Sequence, residues 1–209
     1  MRVLVPYSER DPKSRLAPVL SAPERRSFAR AMLKDVVDAV RGAGHDPELL
    51  VPEPPDAGLP DVPATVDDRR LTPAVDAALD RIGGRAAAAT VVMADLPLAT
   101  PTALRRLVGV RGDVAVAPGR GGGTNALVVR DPAFSVDYHG ASYRDHREAA
   151  ATAGLSVGVV DSMRLATDVD EPADLAEVLL HGGGRAREWL VDAGVELDPT
   201  GNRVGVRRG

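Results

Sequence analysis

Short apolar runs alternate with longer amphipathic stretches along the whole chain. Arg2-Val3-Leu4-Val5 opens as a strand, and Pro6 stops it. Residues 6–17 are a loop rich in charge and turn formers. A helix follows, with Ser21 as N-cap, Glu24 completing a capping box and Pro23 in the first turn. Phe28, Met32, Val36 and Val40 recur at helical spacing with Ala29, Leu33 and Ala39 beside them, and Gly42 and Gly44 end the run. Residues 48–51 read as a second strand. Residues 52–63, rich in proline and acid, read as a surface loop. A helix over 72–82 leads to a central strand over 87–93, then a short helix over 101–108 and a strand over 113–117. A glycine-rich loop at 118–123 feeds a strand over 125–129. Residues 142–153 form a helix with Ala149, Ala150 and Ala153 inward, residues 156–160 a strand, and residues 172–180 a helix behind an acidic loop. After Gly182-Gly183-Gly184 the pattern predicts an appended helix and a frayed tail.

Strands alternating with helices at this spacing predict an α/β fold: a single-domain three-layer α/β/α unit on a mostly parallel mixed sheet. The domain is expected over 1–182, with 183–209 as the appended helix and tail. Of 209 residues, 44% are hydrophobic but only 3% aromatic, so the core must rest on Val, Leu and Ala. The absence of cysteine excludes disulfides and thiolate metal sites. No apolar run approaches the ~20 residues of a membrane span, and the amino terminus carries no signal-peptide pattern; a cytoplasmic protein is expected. The net charge of −4, with no basic run, argues against extended nucleic-acid binding, and with no long apolar run no membrane partner is expected. Lys13 and Lys34 are the only lysines among 26 basic residues, which singles out Lys13 as a compact point charge.

Five segments are candidates for chemistry. Val91-Val92-Met93-Ala94-Asp95-Leu96-Pro97 is an apolar run ending in one carboxylate, with a proline to stop it. Asp95 is thus expected at the carboxyl end of a central strand, where open α/β sheets bind ligands. It can hold a divalent metal against phosphates there, or N-cap the next helix. In the loop 7–16, Lys13 and Arg15 flank Ser14 and can neutralise a triphosphate, or form a solvated basic loop. Neither a P-loop nor a dinucleotide fingerprint is present. Gly121-Gly122-Gly123 lets backbone amides converge on an anion, with Thr124 and Asn125 as side-chain donors and Arg120 as a charge; the alternative is a flexible hairpin. At 138–146, Gly140 permits close approach, Ser142 is expected as a helix N-cap, and His146 lies one turn on, facing the same way. At 167–175, alternation across Val169 puts Asp168 and Asp170 on one side of an extended segment, to share a metal with Asp95 or to cap the helix that follows. No hydrolase triad or zinc motif is present.

In order and spacing these segments resemble the CofC-type guanylyltransferases, the archaeal 2-phospho-L-lactate guanylyltransferase family within the GT-A-like (Rossmann-like) nucleotidyltransferases. The resemblance rests on Asp-Pro-Lys-Ser-Arg-Leu (11–16), Met-Leu-Lys-Asp-Val (32–36), Ala-Asp-Leu-Pro-Leu (94–98), Gly-Gly-Gly-Thr-Asn-Ala-Leu (121–127), Gly-Ala-Ser-Tyr-Arg-Asp-His (140–146) and Asp-Val-Asp-Glu-Pro-Ala-Asp-Leu (168–175), and covers residues 1–180. It implies transfer of GMP from GTP to 2-phospho-L-lactate, giving lactyl-2-diphospho-5′-guanosine and pyrophosphate in biosynthesis of coenzyme F-420. It further implies Lys13 and Asp95 as catalytic residues, and Lys13, Ser14, Arg15, Thr72 and Asp95 around the nucleotide. Mg²⁺ would sit on Asp95 and Asp170, with Asp168 a weaker candidate. Gly123, Thr124, Asn125, Gly140 and Ser142 would receive the acceptor. The chain departs from the family pattern at Leu71-Thr72, where Leu-Asn is usual. Rival readings are a guanylyltransferase acting on phosphoenolpyruvate or 3-phosphoglycerate, and a nucleotide-binding module without turnover. The apolar face at Trp189 and Leu190 would either support a homodimer or pack on its own domain. The product would pass to the next enzyme of the pathway.

Overall fold

The computed structural model describes residues 1–83 and 88–209. Its main sheet has seven strands: β1 (Arg2–Pro6), β2 (Asp46–Val51), β3 (Ala64–Val66), β4 (Ala89–Val92), β5 (Val114–Pro118), β6 (Thr124–Val129) and β7 (Val157–Val159), in the order β3-β2-β1-β4-β6-β5-β7. Only β6 runs antiparallel to its neighbours; the other pairs are parallel. Ala87, the expected start of the central strand, lies outside the described residues. Met93 falls just past the end of β4 but still donates its N–H to Asn125 O at 2.9 Å.

Period-two alternation splits each strand between two cores. Val3, Val5, Leu49, Val92 and Val128 face one layer, built from α1 (Ala22–Gly42), α3 (Pro101–Gly109), α6 (Pro172–His181) and α7 (Arg185–Asp192). Leu4, Leu50, Val91 and Leu127 face the other, built from α2 (Leu71–Gly83) and α4 (Ser142–Thr152). The result is a three-layer α/β/α sandwich, as the spacing predicts. In α1 the capping box forms, with Ser21 N donating to Glu24 Oε2 at 2.8 Å. Phe28, Met32, Leu33, Val36 and Val40 are wholly buried, each such side chain contributing about 1.5–3 kcal/mol.

Three features differ from expectation. The three-residue edge strand β3 and the one-turn helix α5 (Met163–Ala166) are too short to leave a periodic signal. The tail is not frayed: β8 (Val195–Asp198) and β9 (Gly205–Arg208) pair as an antiparallel hairpin. Ser142 is the first residue inside α4 rather than its N-cap, which is Ala141. The face carrying Trp189 and Leu190 packs on its own domain. Trp189 stacks on Phe28 at 5.3 Å and donates to Ser27 Oγ at 2.9 Å, Leu190 is wholly buried, and Asp35 caps the amides of Arg185 and Ala186. Among the described residues no helix is long and apolar enough to cross a membrane.

Candidate active site

Strand order runs outward from β1 to β2 and β3, then returns to β4 on the other side of β1. The crevice between the carboxyl ends of β1 and β4 is therefore a topological switch point, where such sheets receive ligands. The loop after β1 carries Lys13 into it, and the segment after β4 carries Asp95.

Lys13 Nζ donates to Asp95 Oδ2 at 2.6 Å and to Asp170 Oδ1 at 2.8 Å. The ammonium is only 13% exposed, Asp95 27% and Asp170 46%, so the cluster opens toward solvent on the Asp170 side. Burial disfavours the charged ammonium, but the two carboxylates outweigh it and hold Lys13 above its ordinary pKa. Reaching this position requires unusual backbone. Asp11 (φ 44°) and Lys13 (φ 56°) are the non-glycine residues with positive φ among those described, a conformation that costs about 1–3 kcal/mol per residue. Arg25, buried on α1, braces the loop. Its guanidinium donates to Asp11 Oδ1 at 2.9 Å, Pro12 O at 3.3 Å and Leu20 O at 3.3 Å. Sequence reasoning missed Arg25, although it lies three residues before Phe28 on the buried face.

The capping alternatives are taken by other residues. Thr100 caps α3, accepting from Ala103 N at 3.2 Å. Asp174 Oδ2 accepts from Asp170 N at 3.0 Å and Glu171 N at 2.8 Å, completing the capping box of α6. Asp95, Asp168 and Asp170 are thereby released from capping. Val169 N donates to Asp95 O at 3.1 Å, which pins the acidic loop to the strand end. Wholly buried Val169 divides the two acids: Asp170 meets Lys13, and Asp168 accepts from Asn125 Nδ2 at 3.0 Å. Burial raises the Asp168 carboxyl, opposed by the Asn125 bond. Asp95 Oδ1 is buried and accepts no hydrogen bond from the described residues. Among the described residues no three His, Cys, Asp or Glu side chains form a self-contained metal cage. Two carboxylates with a free oxygen suit instead a hard cation that takes its other ligands from water and phosphate.

A second polar cluster adjoins the first through Asn125. Ser142 Oγ accepts from Thr124 N at 2.9 Å, and His146 Nδ1 lies 2.8 Å from Thr124 Oγ1. Asp137 N donates to His146 Nε2 at 2.9 Å, so the ring proton resides on Nδ1 and is donated to Thr124. His146 is wholly buried, and burial lowers its pKa to about 4, so the ring is neutral near pH 7. Ser142 and His146 do face the same way, one turn apart, and meet at Thr124. Gly123 lies against Ser142: a Cβ added at Gly123 would stand 3.9 Å from Ser142 Oγ. The other expected site residues lie further out. Ser14 and Arg15 lie toward solvent, Arg15 standing 3.8 Å from Glu171. Thr72, at the start of α2, accepts from Tyr138 N at 3.0 Å. Gly140 is an exposed positive-φ turn leading into α4.

The family model for CofC-like guanylyl transferases matches residues 1–208. The chain belongs to that family. The match runs past residue 180, where the sequence resemblance stops, and takes in α7 and the hairpin. A 2-phospho-L-lactate guanylyltransferase from Haloferax volcanii is 62% identical over 205 residues, covering 98% of this chain and 97% of that protein. One from Haloarcula marismortui is 57% identical over 209 residues, covering 100% and 99%. A solved structure from Desulfovibrio desulfuricans superposes with a TM-score of 0.73 at 17% identity, covering 91% of this chain and 94% of that one. A nucleotidyl transferase from Methanothermobacter thermautotroptrophicus gives 0.59 at 17% identity, covering 86% and 96%. The fold is thus that of nucleotidyltransferases, and this CofC-like chain is a nucleotidyltransferase.

Proposed function

We propose that this guanylyltransferase joins GMP from GTP to 2-phospho-L-lactate, giving lactyl-2-diphospho-5′-guanosine and pyrophosphate, a step in coenzyme F-420 biosynthesis carried out in the cytoplasm. The observation that carries the reading is the Lys13–Asp95–Asp170 cluster at the switch point, in a chain 62% identical over nearly its whole length to a relative of that name.

An acceptor phosphate oxygen attacks the α-phosphorus of GTP. The bond from the α-phosphorus to the bridging oxygen breaks, and pyrophosphate leaves with the electron pair. The acceptor needs no general base, because a phosphomonoester loses its second proton near pH ~6 and is already anionic. That agrees with a site whose buried histidine is neutral and hydrogen-bonded on both ring nitrogens. Positioning and charge neutralisation then supply most of the acceleration. Lys13 binds the nucleotide phosphates. Asp95 and Asp170 would hold Mg²⁺, with Asp168 behind them. Bound there, the ion would neutralise charge on the α-phosphate and the departing pyrophosphate. Thr124, held by His146, presents its hydroxyl proton to the acceptor, and Gly123 and Gly140 leave backbone room for it. The product goes on to the next enzyme of the pathway.

Pyrophosphate release from GTP and Mg²⁺ with 2-phospho-L-lactate, phosphoenolpyruvate or 3-phosphoglycerate in separate reactions tests this reading, with ATP as nucleotide control. Fastest release with GTP and 2-phospho-L-lactate is expected. Release with another acceptor alone would overturn the substrate; no release from any pair would overturn the activity.

A further inference from the structure

A second cavity adjoins the site and bears on which base the enzyme accepts. The cavity lined by Lys13 and Asp95 has a volume of about 240 Å³. It shares Pro6, Tyr7, Ser8 and Met93 with a neighbouring slot of about 360 Å³, within the ~300–1,000 Å³ range of small-ligand clefts. The walls of that slot are apolar, with Leu50, Leu71, Ala74 and Met93. Its polar lining is the loop Asp67-Asp68-Arg69, with Arg10, which is paired with Glu53.

That loop is a built feature. Asp67 N donates to Val51 O at 2.8 Å, which continues the hydrogen bonding of β2 into the loop. Asp67 Oδ1 accepts from Arg69 Nε at 2.9 Å and from Arg69 N at 3.1 Å, and its other oxygen accepts from Arg69 Nη2. This two-point clamp fixes the guanidinium plane and leaves Nη1 and the second N–H of Nη2 without a partner among the described residues. The carboxylate of Asp68 has no ion-pair or hydrogen-bond partner among the described residues and is exposed to the slot.

We propose that this loop reads guanine, with Asp68 accepting from the N1–H and 2-amino groups and clamped Arg69 donating to O6 and N7. The inference rests on the guanylyltransferase reading and names how that site chooses its base. Guanine is the purine that presents both a donor edge and an acceptor edge to such a pair. Adenine offers Asp68 no matching donors and sets an amino group against Arg69. Thr72, which follows the loop at the start of α2, accepts from Tyr138 N and does not line the slot. Another neighbouring cleft, around Glu9, Glu53 and Asp56, is a poorer fit. Its carboxylates are already paired with Arg30 and Arg10, and it shares only Tyr7 with the Lys13 cavity.

Equilibrium titration of GTP, ITP and ATP without acceptor tests the assignment. ITP is GTP without the 2-amino group. Wild-type protein should prefer GTP over ITP by about tenfold or more, and over ATP by at least as much. Asp68→Ala, a change at an exposed residue, should bring the GTP-to-ITP ratio to within about twofold of unity. Arg69→Ala should weaken GTP and ITP together and keep their ratio. An Asp68→Ala protein that retains the wild-type ratio, or a wild-type protein that binds GTP, ITP and ATP alike, would overturn the proposal. Failure of pyrophosphate release in the wild type would overturn the activity instead and leave these binding ratios as an independent result.

Discussion

Around Asp95, two carboxylates share one ammonium, a third, Asp168, lies beside them on Asn125, and among the described residues one buried carboxylate oxygen has no donor. Around Thr124, its amide and hydroxyl, the hydroxyl of Ser142 and both nitrogens of His146 are all paired. The two clusters lie side by side at the same sheet edge, joined by Asn125. A buried polar atom without a partner costs about 1–3 kcal/mol, a penalty present in the first cluster and avoided in the second. The surplus of negative charge and the unused oxygen are what the proposed cation would use, and that cation, with Lys13, would face the phosphates. The neutral Thr124 cluster, in which each of these atoms has a partner, fixes geometry and keeps the Thr124 hydroxyl proton free. Substitutions of the carboxylates in the first should remove function and spare the fold, whereas substitutions in the second should cost both.

Asp95→Asn puts the greatest strain on this contrast. It should lower pyrophosphate release by about 10²–10³-fold or more, as for lost transition-state charge stabilisation, while the melting temperature holds, because like charges are removed. An active Asp95→Asn protein, or one that unfolds, would erase the contrast. Lys13→Met should follow, with kcat/KM for GTP lower by about 10²-fold. It leaves Asp95 and Asp170 without their shared cation, so its melting temperature should fall and then recover on addition of Mg²⁺ alone. Thr124→Val should raise the KM for the acceptor by about tenfold, with a smaller change in kcat. Leaving the His146 Nδ1–H unpaired should also destabilise the fold by about 1–3 kcal/mol, and Thr124→Ser should restore both.

A smaller effect concerns pH. Burial brings His146 down to about 4 in the folded protein, against an ordinary value of 6.5. Below 6.5 the unfolded chain therefore takes up a proton that the folded one refuses. Stability should fall as pH drops from 6.5 toward 4, and thermal melts of His146→Gln should show a shallower slope through that window. A slope equal to the wild type would contradict the neutral, buried ring. Smallest of all, Arg208→Ala breaks an exposed contact between the hairpin and Glu24. Its melting temperature and activity should match the wild type.

Much of this was written in the sequence where local rules suffice. The helix from Ser21 carries its own capping box and a clear apolar face. Asp95 is visible because an apolar run ends on it and Pro97 forbids continuation. What stayed hidden depends on contacts between distant segments. Lys13 and Asp170 lie 157 positions apart, and the alternation that puts Asp168 beside Asp170 does not reveal that wholly buried Val169 sends one to Asn125 and the other to Lys13. His146 was legible as a neighbour of Ser142, but its proton is fixed by Asp137 N, in a loop without periodicity. The strands β8 and β9 are four residues each and rich in charge, so their pairing surfaced only in three dimensions.

The contrast between the clusters is tested most directly by titrating Mn²⁺ into the GTP-bound protein and following the free ion by electron paramagnetic resonance. The wild type should bind saturably, Asp95→Asn should bind at least about tenfold more weakly, and His146→Gln should bind as the wild type does. Equal Mn²⁺ affinity in wild type and Asp95→Asn would contradict the account.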